Sequence, residues 1–388
     1  MRKTICILTA TRAEFGLLKP IVSRLNDIKE YDVKLAVTGA HLSSEFGLTY
    51  KEIEDEGFNI DEKIPILLSS DTPASISKSM GIAMISFSDY FERIKPDLLI
   101  VLGDRYETLA VAIAAMNQRI PIAHLYGGET TEGAIDESIR HAITKLSYLH
   151  FTSTETYRKR VVQLGESPDR VFNVGAMGIE NIVSEKLYSR SDLASELGLD
   201  LDKVYAVVTF HPVTLESNTT ETQIRALLEA CAVNSQFNFI FTKANADADG
   251  RVINRLIDQY AMEYDHIIAY ASLGTKRYLS ALKYAALVIG NSSSGLVEAP
   301  SFGIPTINIG DRQKGRMQSD SVINCDPTYE SIQAALELAM NDRHVDKSKK
   351  TTNPYGDGDT SLKIVSTIRQ LLSEDKIQIK KAFYDIEV

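Results

Sequence analysis

Cysteine is scarce in this chain of 388 residues: Cys6, Cys231 and Cys325 stand far apart, odd in number and without a CxxC pair. That argues against a disulfide framework or a cysteine-based zinc site, and it fits a reducing compartment, so a cytoplasmic location is expected. Positive charge is in deficit as well. Lys and Arg number 42 against 52 Asp and Glu, a net charge of −10. Phosphate backbones are held by clustered cations, so a nucleic-acid partner is not expected. Any anionic ligand must meet local groups rather than a basic surface. No stretch approaches the roughly 20 apolar residues that a membrane helix requires. The opening MRKTICILTATRAEF has one short apolar run closed by Arg12 and Glu14, and we read it as a first buried strand rather than a leader. Short-period repeats and low-complexity tracts are also missing.

What is present is a globular composition, 44% hydrophobic and 24% charged, with length for about two domains. β-rich runs alternate with helical ones, the pattern of α/β proteins with parallel sheets. TICILTA, VKLAVTG, DLLIVLGD, IPIAHLYGG and LHFTST read as strands of a first half, with YETLAVAIAAMN and AIDESIRHAITKL as helices. VYAVVTFHP, FNFIFTK, ALVIGNSS and PTINIG begin the pattern again, separated by ETQIRALLEACAV, GRVINRLIDQYAM and KRYLSALKYA. The polar stretch 186–203 lacks a strand and marks a boundary. We therefore expect two doubly wound, Rossmann-like domains facing a cleft: an N-terminal one over 1–190, a C-terminal one over 191–370, and a segment 371–388 packing across both.

In such sheets ligands bind beyond the carboxyl ends of the strands, and the conspicuous polar clusters all follow strands. The stretch LYGGETTEGAIDESIRHA puts Glu129, Glu132, Asp136 and Glu137 close together after a glycine pair. Acids at a helix start are favourable by themselves. Yet Asp104 in VLGDRYE ends a neighbouring strand in the same way, and several carboxylates in one pocket suit proton transfer at carbon. Arg140 follows Asp136 by four residues, and His141 follows Glu137 by four, so each pair shares a helix face. Asp136 with Arg140 is the preferred oriented acid.

In VIGNSSSGLVEAPSFG a strand runs into Ser292, Ser293, Ser294 and Gly295 before a helix-forming stretch. Backbone N–H groups and hydroxyls there would make a neutral cradle for phosphate oxygens, although a plain serine N-cap has the same spelling. Glu298 could accept bonds from a ribose diol, with Arg312, Lys314 or Arg316 as a nearby cation. Arg12 offers a planar fork suited to phosphate, or a simple ion pair with Glu14. His211 in TFHP ends a second-half strand.

Taken together, TRAEFG, VLGDRYE, HLYGGETTEGAIDESIRHAITKLS, TFHPVT, GNSSSGLVEAPSFGIPTINIGDRQKGR and the terminal FYDI resemble the hydrolysing UDP-N-acetylglucosamine 2-epimerases of bacterial sialic acid synthesis. The similarity spans nearly the whole chain. It implies a fold like that of the GT-B glycosyltransferases, with UDP held by the second domain. It implies that UDP-N-acetylglucosamine and water give N-acetylmannosamine and UDP through a glycal, with no metal and no nicotinamide cofactor. By matched position it assigns catalysis to Asp104, Glu129 and Asp136, with the adjacent Glu137 kept open; on chemical grounds Arg12, His211 and the serine loop can stabilise the charge of the leaving diphosphate. Tyr278 matches a position lining the uracil pocket. Which carboxylate is base and which acid is not assigned. The GGETTEGAIDES segment is similar to the hydrolysing branch, and relatives acting on a UDP-2,4-diacetamido sugar share these motifs. A reversible epimerase that keeps UDP on the product and a GT-B glycosyltransferase are the other readings. Apolar helical faces lead us to expect a homo-oligomer, dimer or tetramer.

Overall fold

The computed structural model describes residues 2–68, 70, 72–130, 135–200, 203–212, 219–244, 250–377 and 379–386. Its first sheet has seven strands: β1 Lys3–Thr9, β2 Tyr31–Thr38, β3 Glu62–Ile64, β4 Leu98–Leu102, β5 Ile122–Leu125, β6 Leu149–Thr152 and β7 Val171–Asn173. The second has six: β8 Tyr205–Thr209, β9 Asn238–Thr242, β10 Ile267–Tyr270, β11 Leu287–Gly290, β12 Thr306–Ile309 and β13 Val322–Cys325. All pairings are parallel, in the orders β3-β2-β1-β4-β5-β6-β7 and β10-β9-β8-β11-β12-β13. These are two doubly wound α/β sheets, as expected. In each, the winding reverses between the first and fourth strands, β1 and β4 or β8 and β11, and that reversal opens a crevice at the strand ends.

Alternation along the central strands explains why both sheet faces are covered. Ile5, Ile7, Leu98, Ile100 and Leu102 enter one core, while Cys6, Leu8, Leu99 and Val101 enter another on the opposite face. Each such side chain, fully buried, is worth about 1.5–3 kcal/mol. Helix Arg12–Asn26 covers the first of these faces with Phe15, Leu18, Ile21, Val22 and Leu25, and a capping box of Thr11 and Glu14 fixes its start.

Four strands lie beyond the runs legible from composition: β3, β7, β10 and β13. The unit boundaries also differ from those expected. The first compact unit comprises Met1–Glu129, Asp136–Glu180 and Gly356–Val388, and the second is built on Asn181–Tyr355, so the limits at 190 and 370 are replaced. The reason is packing. Helix Thr360–Ser373 places Ile364, Val365, Ile368 and Leu372 in the same core as Phe15 and Leu18, and the buried Glu180 carboxylate accepts from the Ser361 N–H at 2.6 Å. The last residues likewise pack on the first unit. Among the described residues no helix is long and apolar enough to cross a membrane.

Candidate active site

In the first unit, parallel pairing sets Leu102 opposite Leu125, so β4 and β5 release their loops at one level. Asp104 follows β4, Glu129 follows β5 by a short loop, and helix Asp136–Leu146 opens with Asp136 and Glu137. Arg140 draws this set together. Its side chain is only 2% exposed, and its guanidinium donates to the Asp104 carboxylate, to Glu137 Oε2 at 2.9 Å and to the Glu129 carbonyl at 2.8 Å. A buried cation is tolerable only when paired and hydrogen-bonded. Asp104 and Glu137 nevertheless keep 26% and 27% of their side chains exposed, which leaves them open to a ligand. The Glu129 carboxylate is buried and accepts from Ser153 Oγ at 2.7 Å.

Spacing had favoured Asp136 as the acid oriented by Arg140. The guanidinium binds the carboxylates of Glu137 and Asp104, so these two are acids that Arg140 orients. The Glu137–His141 pair is present, with Nε2 and Oε1 3.1 Å apart. Glu132 lies outside the described residues. The glycine pair serves the protein's own packing: at Gly128, φ is +78°, and a Cβ would strike the Tyr157 carbonyl of helix Glu155–Gln163. His124, which the motifs did not single out, is fully buried on β5 and donates from Nε2 to the Gly103 carbonyl at 2.7 Å, steadying the backbone just before Asp104. Burial pushes its imidazole down to about 3, so the ring is neutral at physiological pH.

Arg12 opens its helix half-exposed. Its Nε meets Glu52 Oε2 at 2.9 Å, so its ion pair is with Glu52 and not with Glu14, the alternative partner in the sequence. Glu14 is committed to the cap, accepting from the Ala10 N–H at 2.7 Å and the Thr11 N–H at 3.2 Å. Burial raises its carboxyl to about 7, against the opposing field of Arg105.

In the second unit, Gly290 pairs with Thr209, so the residues after β11 and β8 are neighbours at the reversal of winding. Asn291, fully buried, joins them. Its Oδ1 accepts from the His211 N–H and its Nδ2 donates to the His211 carbonyl, both at 2.7 Å. The Asn291 carbonyl accepts from Arg312 Nη1 at 3.0 Å and Gln313 Nε2 at 2.8 Å. One asparagine therefore holds His211, the serine loop and Arg312 in register. Burial, with Arg312 nearby, pushes His211 down to about 3. Its Nδ1 is buried without a hydrogen-bond partner, which leaves a neutral ring with an unused polar atom.

Tyr278 donates to Ser294 Oγ at 2.7 Å, and its ring packs against the core that includes Val207, Leu282 and Ala299. Ser292 Oγ accepts from the Ser294 N–H at 3.4 Å. The helix-forming stretch after the serines makes one short turn, Ser294–Val297, leading through Glu298 into a 3-10 turn at Ala299–Phe302. Pro300 has no N–H to continue an α-helix, and Gly303 at φ +65° ends the segment. The cradle therefore consists of local N–H groups and hydroxyls, and Gly295 and Glu298 sit on that single turn. Lys314 is exposed and 3.5 Å from Asp311. A cavity of about 700 Å³ in this unit lies along β12 and β13, lined by Asn308, Asn324, Cys325 and Ser331 among others; of the expected cations, Lys314 and Arg316 line it and Arg312 does not.

Residues 23–369 match the family model described as UDP-N-acetylglucosamine 2-epimerase. The chain is 47% identical to the Campylobacter jejuni GDP/UDP-N,N'-diacetylbacillosamine 2-epimerase (hydrolyzing), over 83% of this chain and 84% of that one. It is 40% identical to the polysialic acid biosynthesis protein P7 of Escherichia coli, over 99% and 98%. The crystal structure of UDP-GlcNAc 2-epimerase from Neisseria meningitidis bound to UDP-GlcNAc superposes with a TM-score of 0.83 at 19% identity, covering 95% of this chain and all of that one. With the acid-bearing strand ends in one unit, the serine loop in the other and a match over most of its length, the chain belongs to the UDP-N-acetylglucosamine 2-epimerase family.

Proposed function

We propose that the protein is a hydrolysing 2-epimerase of a UDP-linked 2-acetamido hexose, releasing UDP and a free sugar inverted at carbon 2. The observation that carries this reading is the buried Arg140 guanidinium gathering the carboxylates of Asp104 and Glu137 beside Glu129. A proton on an acetamido-bearing carbon is weakly acidic, so its removal must be coupled to departure of the diphosphate. A carboxylate takes the proton from carbon 2, the freed electron pair forms the carbon 1–carbon 2 double bond, and the bond from carbon 1 to UDP breaks. Water oxygen then adds to carbon 1, giving up one proton to a carboxylate, while a carboxylic acid delivers a proton to the opposite face of carbon 2. Asp104, Glu129, Asp136 and Glu137 supply the base and the acid, each role worth about 10²–10⁴-fold.

Stabilising the leaving diphosphate falls to His211, Arg12, Arg312 and the hydroxyls of Ser292, Ser293 and Ser294. Gly295 keeps their turn tight, Glu298 takes the ribose diol and Tyr278 the uracil side. On the sugar the relatives divide. The 47% identity to an enzyme named for the diacetylated substrate favours a UDP-2,4-diacetamido sugar over the UDP-N-acetylglucosamine that sequence motifs put first. The match to the polysialic acid protein over 99% of the chain keeps N-acetylmannosamine, for sialic acid synthesis, as the second reading. Three free cysteines support a cytoplasmic setting. Exposed Ile85 and Met116 on helices of the first unit support a homodimer or homotetramer.

The test is incubation with each nucleotide sugar in heavy water, following free UDP, free sugar and deuterium at carbon 2. Free, deuterated 2-epimer is the expected product, formed faster from the diacetamido substrate. UDP-linked deuterated product would identify a reversible epimerase, and no exchange without an acceptor would point to a glycosyltransferase. Either result overturns the proposal.

A further inference from the structure

The terminal motif FYDI takes no part in the chemistry above, yet its surroundings lead back to the helix that bears the acids. Every helix ends in carbonyls that lack a partner within it. At the end of helix Asp136–Leu146, Lys381 supplies what is missing: Nζ donates to the Lys145 carbonyl at 2.7 Å and the Ser147 carbonyl at 2.8 Å. Its remaining proton goes to Glu166 Oε1 at 2.8 Å. An ammonium has three donors, and all three are used. A cation at this end also favours the helix dipole.

The anchor is firm. Glu166 is fully buried and also accepts from Lys145 Nζ at 2.6 Å, with His150 Nε2 at 3.2 Å. Burial alone would raise its carboxyl, but the hydrogen bonds from His150, Lys145 and Lys381 prevail and hold it at about 2. Further along, the Phe383 ring occupies the space that a side chain at Gly165 would need, the Lys145 ammonium stands 5.2 Å from the ring centroid, and the Tyr384 N–H donates to the Gly165 carbonyl at 2.9 Å.

We propose that Lys381 is a positioning residue: the carboxy-terminal strap fastens the far end of the helix whose near end presents Asp136, Glu137 and Arg140, and through Arg140 it sets the attitude of Asp104. The inference rests on the acid–base reading of those residues. A helix of 11 residues is a stiff rod of three turns, so freedom at its last carbonyls becomes displacement at its first side chains, and catalysis is sensitive to displacements of about 1 Å.

In the full-length protein, Lys381→Met should speed deuterium uptake over residues 143–147 and lower kcat about tenfold, the scale on which small misplacements register. KM and UDP affinity should stay near wild-type values, and Lys381→Arg should recover most of kcat. Unchanged uptake, an unchanged kcat, or a parallel loss of UDP affinity would each overturn the proposal. Phe383→Ala loosens the strap while keeping Lys381 and should move both readouts the same way, which decides the matter if Lys381→Met fails to fold. Should the wild type process neither nucleotide sugar, the reaction is wrong, and the uptake measurement still shows separately whether Lys381 holds the helix.

Discussion

Asp104 and Glu129 differ in how the fold treats them. Asp104 shares a buried guanidinium and remains partly exposed, whereas Glu129 is buried against Ser153. Asp104→Asn and Glu129→Gln keep shape and remove the capacity to exchange a proton; Asp104→Asn also removes one charged partner of Arg140, whose ion pair with Glu137 is left in place. Each should lower turnover by about 10²–10⁴-fold while calorimetry records unaltered UDP binding, and wild-type rates in both would take these residues out of the mechanism. Asn291→Ala would strip two bonds from the His211 backbone and leave buried polar groups unsatisfied, at about 1–3 kcal/mol for each. UDP affinity should fall by a comparable factor, roughly tenfold or more, in a variant that still melts cooperatively; unchanged affinity would deny Asn291 its part in shaping the site. The four described acids were legible because each follows a strand or opens a helix. Asn291, Ser153 and His124 were not, since their value lies in partners up to 80 residues away, and no local pattern encodes such a partner. The one available signal was the place of Asn291 directly after an apolar run.

Secondary structure was legible in proportion to burial. Nine strands could be named from composition, and the four that could not are β3, β7, β10 and β13, which are the edges of the two sheets. A central strand such as LLIVL is buried at every position, while the edge strand EKI is buried at one. With one side unpaired, an edge strand needs no continuous apolar run, so the spelling that announces a strand is missing. The same logic governs Gly128, whose left-handed backbone and close approach to Tyr157 join the loop before Glu129 to helix Glu155–Gln163. Gly128→Ala should cost about 1–3 kcal/mol, the usual range for a strained residue, seen as a lower urea midpoint. An unchanged midpoint would show that the loop yields without loss.

Across the whole molecule, buried imidazoles tie stability to pH. Burial pushes His41 down to about 4 and His124 and His211 to about 3, and it lowers His150 against the pull of Glu166. Unfolded, all four would take up protons below about pH 6.5, where the folded chain refuses them. Each therefore withdraws up to about 1.4 kcal/mol of stability per pH unit as pH falls from 6.5 towards its folded value. Glu14, raised to about 7, acts oppositely between pH 7 and 4.5, but it is one group against four. Glu166, held at about 2, adds a further loss below pH 4.5. The Tm should accordingly decline from pH 7 to 5 and continue downward in stronger acid. A level or rising Tm over the first interval would mean that these rings are charged in the native state.

The return of the chain to its first sheet governs the order in which the protein is made. Ile364, Val365, Ile368 and Leu372 complete a core whose earliest members are Ile5 and Ile7, so that core stays open on the ribosome until helix Thr360–Ser373 has emerged. The second sheet draws every strand from Asn181–Tyr355 and leaves the exit tunnel sooner with its apolar complement intact. Vectorial synthesis usually lets the leading domain fold first; here the leading domain must wait. A messenger truncated after Tyr355 should yield a nascent chain whose carboxy-terminal half resists protease and whose amino-terminal half is digested.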